Sequence, residues 1–118
     1  SGPYLQYSYA RARSVLKKAK DEGIKPSFKN VSGEITQLEK MLSKFPEVVL
    51  QAQKKIEPHS LTTYLTELAG IFNSYYAKNK IVDKADEISP YRVAITNAFA
   101  ITMKNGMWLL GIKTLEKM

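Results

Sequence analysis

The stretch Ser60 to Lys78, SLTTYLTELAGIFNSYYAK, decides the fold. Leu61, Leu65, Leu68, Phe72 and the pair Tyr75/Tyr76 recur every three to four residues, the repeat of one face of an α-helix, and the face fades at Lys78-Asn79-Lys80. A helix with so wide an apolar stripe needs partners to cover it. The chain supplies them on both sides. Upstream, Pro3 suits a helical first turn, where its missing N–H costs nothing, and Leu5, Ser8/Tyr9, Ala12, Leu16 and Ala19 predict a first helix over 3–21 that ends before Gly23. A loop with Pro26 inside it follows. Ser32 is the expected N-cap of a second helix whose inward residues are Ile35, Leu38 and Leu42, and which stops near Phe45 because Pro46 disfavours helical geometry before it. Pro46 can open a third helix, with Val49, Ala52 and Ile56 on one face until Pro58 ends it.

Downstream, residues 79–88 read as a polar connector. Ser89-Pro90 is the expected cap and start of a fifth helix carrying Val93, Ala94, Ala98, Ile101 and Thr102 inward, with Asn105-Gly106 as its stop. Trp108, Leu109, Leu110 and Ile112 then read as a short closing segment that plugs the bundle. No period-2 run, repeat or low-complexity tract competes with this reading. The expectation is an all-α chain: a single helical bundle over residues 1–118 with about five main helices plus a short C-terminal segment.

Composition closes off most catalytic chemistry. There is no cysteine and one histidine, so neither disulfides nor a thiolate metal site can form, and His59, between Pro58 and Ser60, reads as a junction residue. No nucleophile–base pair or clustered acid pair stands at a useful spacing. The six glycines are too scattered to cradle a phosphate. Lys40-Met41-Leu42-Ser43-Lys44 resembles the KMSKS loop of class I synthetases only with an inserted leucine, inside an amphipathic helix, and is read as chance. The longest apolar run, Met107 to Leu110, is far below the roughly 20 residues of a membrane span. No signal-peptide pattern opens the chain, and a cytoplasmic monomer with no cofactor in this domain is expected.

Charge and ring placement point to binding instead. The net charge is +7, distributed as +5 over residues 1–29, 0 over 30–59, −1 over 60–90 and +3 over 91–118. If the terminal helices are neighbours, they make a positive face that attracts a polyanion; a lysine-solvated surface is the plainer alternative. Tyr4, Tyr7 and Arg11 fall at i, i+3 and i+7 on the first helix, one stripe beside its apolar face, with Arg13, Lys17 and Lys18 nearby. Rings and guanidinium planes are what unstacked RNA bases bind, while cations hold phosphates. A tyrosine-rich bundle edge would show the same spacing.

Short motifs in a fixed order carry a more specific signal. Ser1-Gly2-Pro3-Tyr4-Leu5-Gln6-Tyr7-Ser8-Tyr9-Ala10-Arg11 opens the chain; Phe45-Pro46-Glu47-Val48-Val49, Glu57-Pro58-His59, Tyr64-Leu65-Thr66-Glu67-Leu68-Ala69 and Phe72-Asn73-Ser74-Tyr75-Tyr76 fill its middle; Arg92-Val93-Ala94-Ile95, Asn105-Gly106-Met107-Trp108-Leu109-Leu110-Gly111-Ile112 and Glu116-Lys117-Met118 close it. This order resembles the C-terminal anticodon-binding (DALR) domain of arginyl-tRNA synthetases, end to end. Tyr75 stands where that family usually has phenylalanine, and Thr114-Leu115 replaces a small residue and proline. The resemblance implies a helical bundle that grips the anticodon stem and loop of arginine tRNA. It also implies a larger protein, in which a class I catalytic domain, partner in cis to this one, uses ATP and Mg; that domain's HIGH motif is absent here. Tyr4, Tyr7 and Arg11 match the family's anticodon-contact positions, Met118 its terminal methionine near the loop, and Asn79 and Lys80 a connector that approaches the anticodon. Arg13 and Lys17 are phosphate candidates on charge alone. A helical module of the same family that binds protein and has lost RNA contact is the competing expectation. Tyr4, Tyr7 and Arg11 should face outward, close to the chain's C-terminal end.

Overall fold

A computed structural model describes residues 2–55 and 58–114. Among them run five helices and no strand: α1 (Gly2–Asp21), α2 (Gln37–Leu42), α3 (Phe45–Lys55), α4 (Pro58–Lys78) and α5 (Ser89–Leu109). Four are long, and α2 is little more than one turn. None is long and apolar enough to cross a membrane. Ile56 and Glu57, Leu115 to Met118 and Ser1 lie outside the described residues, so the places expected for Ile56 on the third helix and for Met118 by the loop are not among the observations.

α1 packs against both α5 and α4, while α2 and α3 cover the other side of α4. One core joins them. Leu5, Tyr9, Ala12 and Ala19 of α1 meet Leu61, Leu65, Leu68, Ala69 and Phe72 of α4 and Val93, Phe99, Met103 and Met107 of α5. At its centre Phe72 and Phe99 stack with ring centroids 4.1 Å apart and planes 9° from parallel. That stacked ring contact adds to the area both rings bury. On the α2 side, the Tyr64 hydroxyl donates to the Met41 carbonyl at 2.6 Å, so the phenol is buried with its polar end satisfied.

Several helix ends differ from expectation, each for a local reason. The N-cap of α2 is Thr36, not Ser32: its side chain accepts from the Glu39 N–H while the Glu39 carboxylate accepts from the Thr36 N–H, a reciprocal capping box. The helix therefore begins two residues beyond Ile35, which is exposed rather than inward. Ser32 instead belongs to a turn organised by Asn30, whose Oδ1 accepts from the N–H groups of Ser32 and Gly33. Pro58 opens α4 rather than only closing α3, as a missing N–H permits. Ser89 makes no side-chain cap. Buried, its hydroxyl donates to the Ile81 carbonyl at 2.6 Å and accepts from the Asp83 N–H at 3.0 Å, tying the 79–88 connector to α5 and seating Ile81 and Val82 in the core.

The largest correction is at the end of α5, which runs through Asn105-Gly106 to Leu109. Gly106 is helical and buried because Leu65 lies on it: a β-carbon there would stand 2.6 Å from Leu65 Cδ2. The stop is Gly111, at φ +75°, where the Ile112 N–H reaches back to the Met107 carbonyl at 2.8 Å. In this last stretch of α5 Met107 lies in the core but Trp108 outside it, 77% exposed, with Leu109 and, further up the helix, Ile101 also exposed. Trp108 does not plug the bundle; Met107, Leu110 and Ile112 do.

Candidate nucleic-acid interface

Tyr4, Tyr7 and Arg11 lie on the flank of α1 that meets α4, and the two rings are 37% and 42% exposed. Seven residues of helix separate the first from the last, about 10 Å along the axis. They form one hydrogen-bonded unit with two α4 side chains. The Arg11 guanidinium donates from Nη2 to the Tyr7 hydroxyl at 2.6 Å and from Nη1 to Asn73 Oδ1 at 3.1 Å. The amide nitrogen of Asn73 donates in turn to the Tyr4 hydroxyl at 3.2 Å and to Ser8 Oγ at 3.0 Å. Arg11 also lies between two rings, its guanidinium carbon 5.0 Å from the centroid of Tyr7 and 4.3 Å from that of Tyr76. Such placement is attractive because the ring faces carry partial negative charge. Its Nε is buried and has no hydrogen-bond partner among the described residues.

Periodicity alone put Tyr76 with Tyr75 on the inward stripe and left Asn73 without a role. The structure separates the tyrosines: Tyr75 packs against the core, and burial, as the leading cause, raises its pKa, whereas Tyr76 is 41% exposed over Arg11. Asn73 and Tyr76 are three residues apart on α4, so a polar residue and a ring at i and i+3 beside an apolar stripe were the available signal.

The other expected site residues divide. Asn79 and Lys80 line a groove of about 330 Å³ with Val15, Lys18 and Tyr76, so Tyr76 joins the connector to the ring cluster. Asn79 itself closes α4, donating from both its backbone N–H and its side-chain amide to the Tyr75 carbonyl at 3.0 Å. Arg13 and Lys17 do not join the cluster. They follow Arg11 by two and six residues, which turns them about 200° and 240° round the helix, and they line a cleft between α1 and α5. The last described residues run along that same flank, where the Gln6 side chain donates to the Lys113 carbonyl at 2.7 Å, and not beside the ring cluster, which was expected close to the chain's C-terminal end. Met118 is outside the described residues. Among those residues, no group of three or more histidines or acids is placed to hold a metal.

Two tyrosines flanking an arginine, with a third tied to it through Asn73, on the seam of a basic helix with α4, make a surface suited to bases and phosphates. The sequence profile of one family, the DALR anticodon binding domain, matches residues 5–118. The chain belongs to that family. Arginine–tRNA ligases of Pyrobaculum aerophilum and Geobacter metallireducens are each 39% identical to it, over 100% and 98% of its length. The one from Pyrococcus furiosus is 33% identical over 100%. The chain spans about a fifth of the length of these relatives, from 19% to 22%. A crystal structure from Campylobacter jejuni, assigned by name as an arginyl-tRNA synthetase, superposes with a TM-score of 0.80 at 24% identity, over 98% of this chain and 26% of that one. At that identity the likeness establishes the fold of the DALR domain and nothing finer.

Proposed function

We propose that this DALR domain binds the anticodon stem and loop of arginine tRNA, as the RNA-reading part of an arginine–tRNA ligase. The observation that carries the reading is the surface cluster in which Tyr7 and Tyr76 flank Arg11 and Asn73 links Arg11 to Tyr4. Tyr7 and Tyr76 each turn one ring face to the guanidinium, leaving their exposed parts for unstacked bases, and stacking contributes about 1–3 kcal/mol per base. Asn79, Lys80 and Lys18 extend the surface along the groove beyond Tyr76. Met118 would complete it by the family pattern. Arginine activation, with its ATP and Mg, belongs in this reading to a catalytic domain carried in cis, and the whole acts in the cytoplasm, this domain contributing as a monomer.

Filter binding at modest salt, comparing arginine tRNA with an unrelated tRNA, tests the proposal. The expected result is preference for arginine tRNA, lost on Arg11→Ala. Equal affinity for both, or an unchanged preference in the variant, overturns it. A partner protein retained at high salt, with RNA binding undetectable, would favour the protein-interaction reading.

A further inference from the structure

On the flank of α1 away from the tyrosine cluster, a cleft of about 610 Å³ lies between α1, the loop after it and α5. Arg13, Lys17, Lys20 and Lys25 line it with Ser14 and Asn97, over a floor that includes Leu16 and Val93, and no carboxylate is among its lining residues. Lysines in the last turn of a helix ordinarily answer its exposed carbonyls and dipole. Here the backbone closes the end by itself: the carbonyls of Lys18, Ala19 and Lys20 accept from the N–H groups of Glu22, Ile24 and Gly23 at 2.9–3.0 Å. Gly23 makes this possible at φ +74°. The lysine side chains are not needed for capping. The far wall is pinned too, since the Ser27 N–H donates to the Pro90 carbonyl at 3.0 Å. Asp21 neutralises part of the charge at the rim through a 3.1 Å pair with Lys17, and that pair is exposed on both sides. The acids Asp83, Asp86 and Glu87 line an adjoining hollow together with Lys84, and the 23–26 loop, Lys25 included, lines both it and the cleft.

The geometry points to this cleft as a second RNA contact, a clamp for backbone phosphates of the stem, in which Lys20 and Lys25 hold the phosphates and Arg13 adds to the field. The inference rests on the RNA-binding reading above and adds to it where the stem lies. Lys20 is thirteen residues beyond Tyr7, roughly 20 Å along α1 at 1.5 Å per residue. That separation spans several base steps of an A-form RNA stem. An RNA whose loop meets the rings thus crosses the solvent edge of α1 and brings its stem to the cleft. Contacts there neutralise phosphates without reading bases.

Lys20→Gln/Lys25→Gln in the full chain tests this against two references: Arg11→Ala, and Lys40→Gln/Lys44→Gln, which removes the same charge from exposed positions on and just after α2. Binding of arginine tRNA and of an unrelated tRNA is measured across a salt series, with circular dichroism reporting that each variant is folded. The clamp pair should lower the slope of log affinity against log salt by about 1–2 and weaken both RNAs by the same factor. The α2 pair should leave the slope unchanged, and Arg11→Ala should lose discrimination. An unchanged slope in the clamp pair, or an equal change in the α2 pair, overturns the clamp while leaving the anticodon reading in place if Arg11→Ala still loses discrimination. No RNA binding by the unaltered chain overturns both.

Discussion

Replacing Gly106 by alanine should destabilise the domain, although alanine is the better helix former. Gly106 is inside α5, and it is not among the glycines with positive φ, so the backbone itself accepts alanine. The obstacle is Leu65. The new methyl would stand 2.6 and 2.7 Å from its two terminal carbons and 3.1 Å from Cγ, where carbon pairs normally sit about 3.5–4.0 Å apart. Leu65 is fully buried, so swinging one methyl away drives the other into its neighbours, and α4 and α5 must separate. Overpacking of this kind costs about 1–3 kcal/mol, offset by about 1 kcal/mol of helix propensity. The net loss is about 0–2 kcal/mol, or up to about 8 °C in Tm for a chain of this size. Thermal and urea melts measure it, and a double-mutant cycle with Leu65→Ala identifies the cause. Leu65→Ala alone should cost about 2–5 kcal/mol. With its cavity open, the alanine at 106 fits, and the double variant should be more stable than the sum of singles predicts by about 1 kcal/mol. A Gly106→Ala variant that melts higher, or a cycle additive within about 0.5 kcal/mol, would refute the close-approach argument.

Asn73→Ala removes the acceptor of Arg11 and the donor to Tyr4 and Ser8; RNA affinity should fall about tenfold or more through loss of ring and guanidinium placement, read by filter binding, with far-UV circular dichroism unchanged. Trp108→Ser should change Tm by less than about 2 °C, since the indole is largely outside the core; a large drop would restore it as a plug. Tyr64 and Tyr91 have pKa values pushed up to about 12, with burial as the leading cause in both and the Glu39 carboxylate a further one at Tyr91. A phenol whose folded pKa is raised contributes stability that is full below the unfolded value of about 10 and is lost as pH rises toward about 12. Melts at several pH values across that window should show a falling Tm that Tyr64→Phe blunts.

Much of the architecture was readable from local chemistry. The apolar spacing of 61–76 and of 5–19 places α4 and α1, and the prolines at 3, 46, 58 and 90 stand at or next to helix starts because the first turn has no use for their N–H. Thr36 and Glu39 were equally readable as a capping box, a signal stronger than the lone Ser32 that precedes it. The ring and arginine stripe on α1 follows from 3.6 residues per turn, and its exposure follows from the apolar residues lying on the next face round.

Packing decided the rest. Whether Gly106 stops a helix or admits a neighbour depends on a leucine forty-one residues away. Trp108 and Met107 are adjacent, and which enters the core depends on the rotation of α5 against α1 and α4, because α5 is apolar round most of its girth and its pattern names no inward face. Asn73 and Tyr76 reach Arg11 only through the way α4 lies on α1, and the same arrangement sends Arg13 and Lys17 to the opposite flank. Helix propensity, caps and periodicity act within one or two turns. Contacts between helices are set by how whole side-chain surfaces interlock, and that geometry has no address in any single segment.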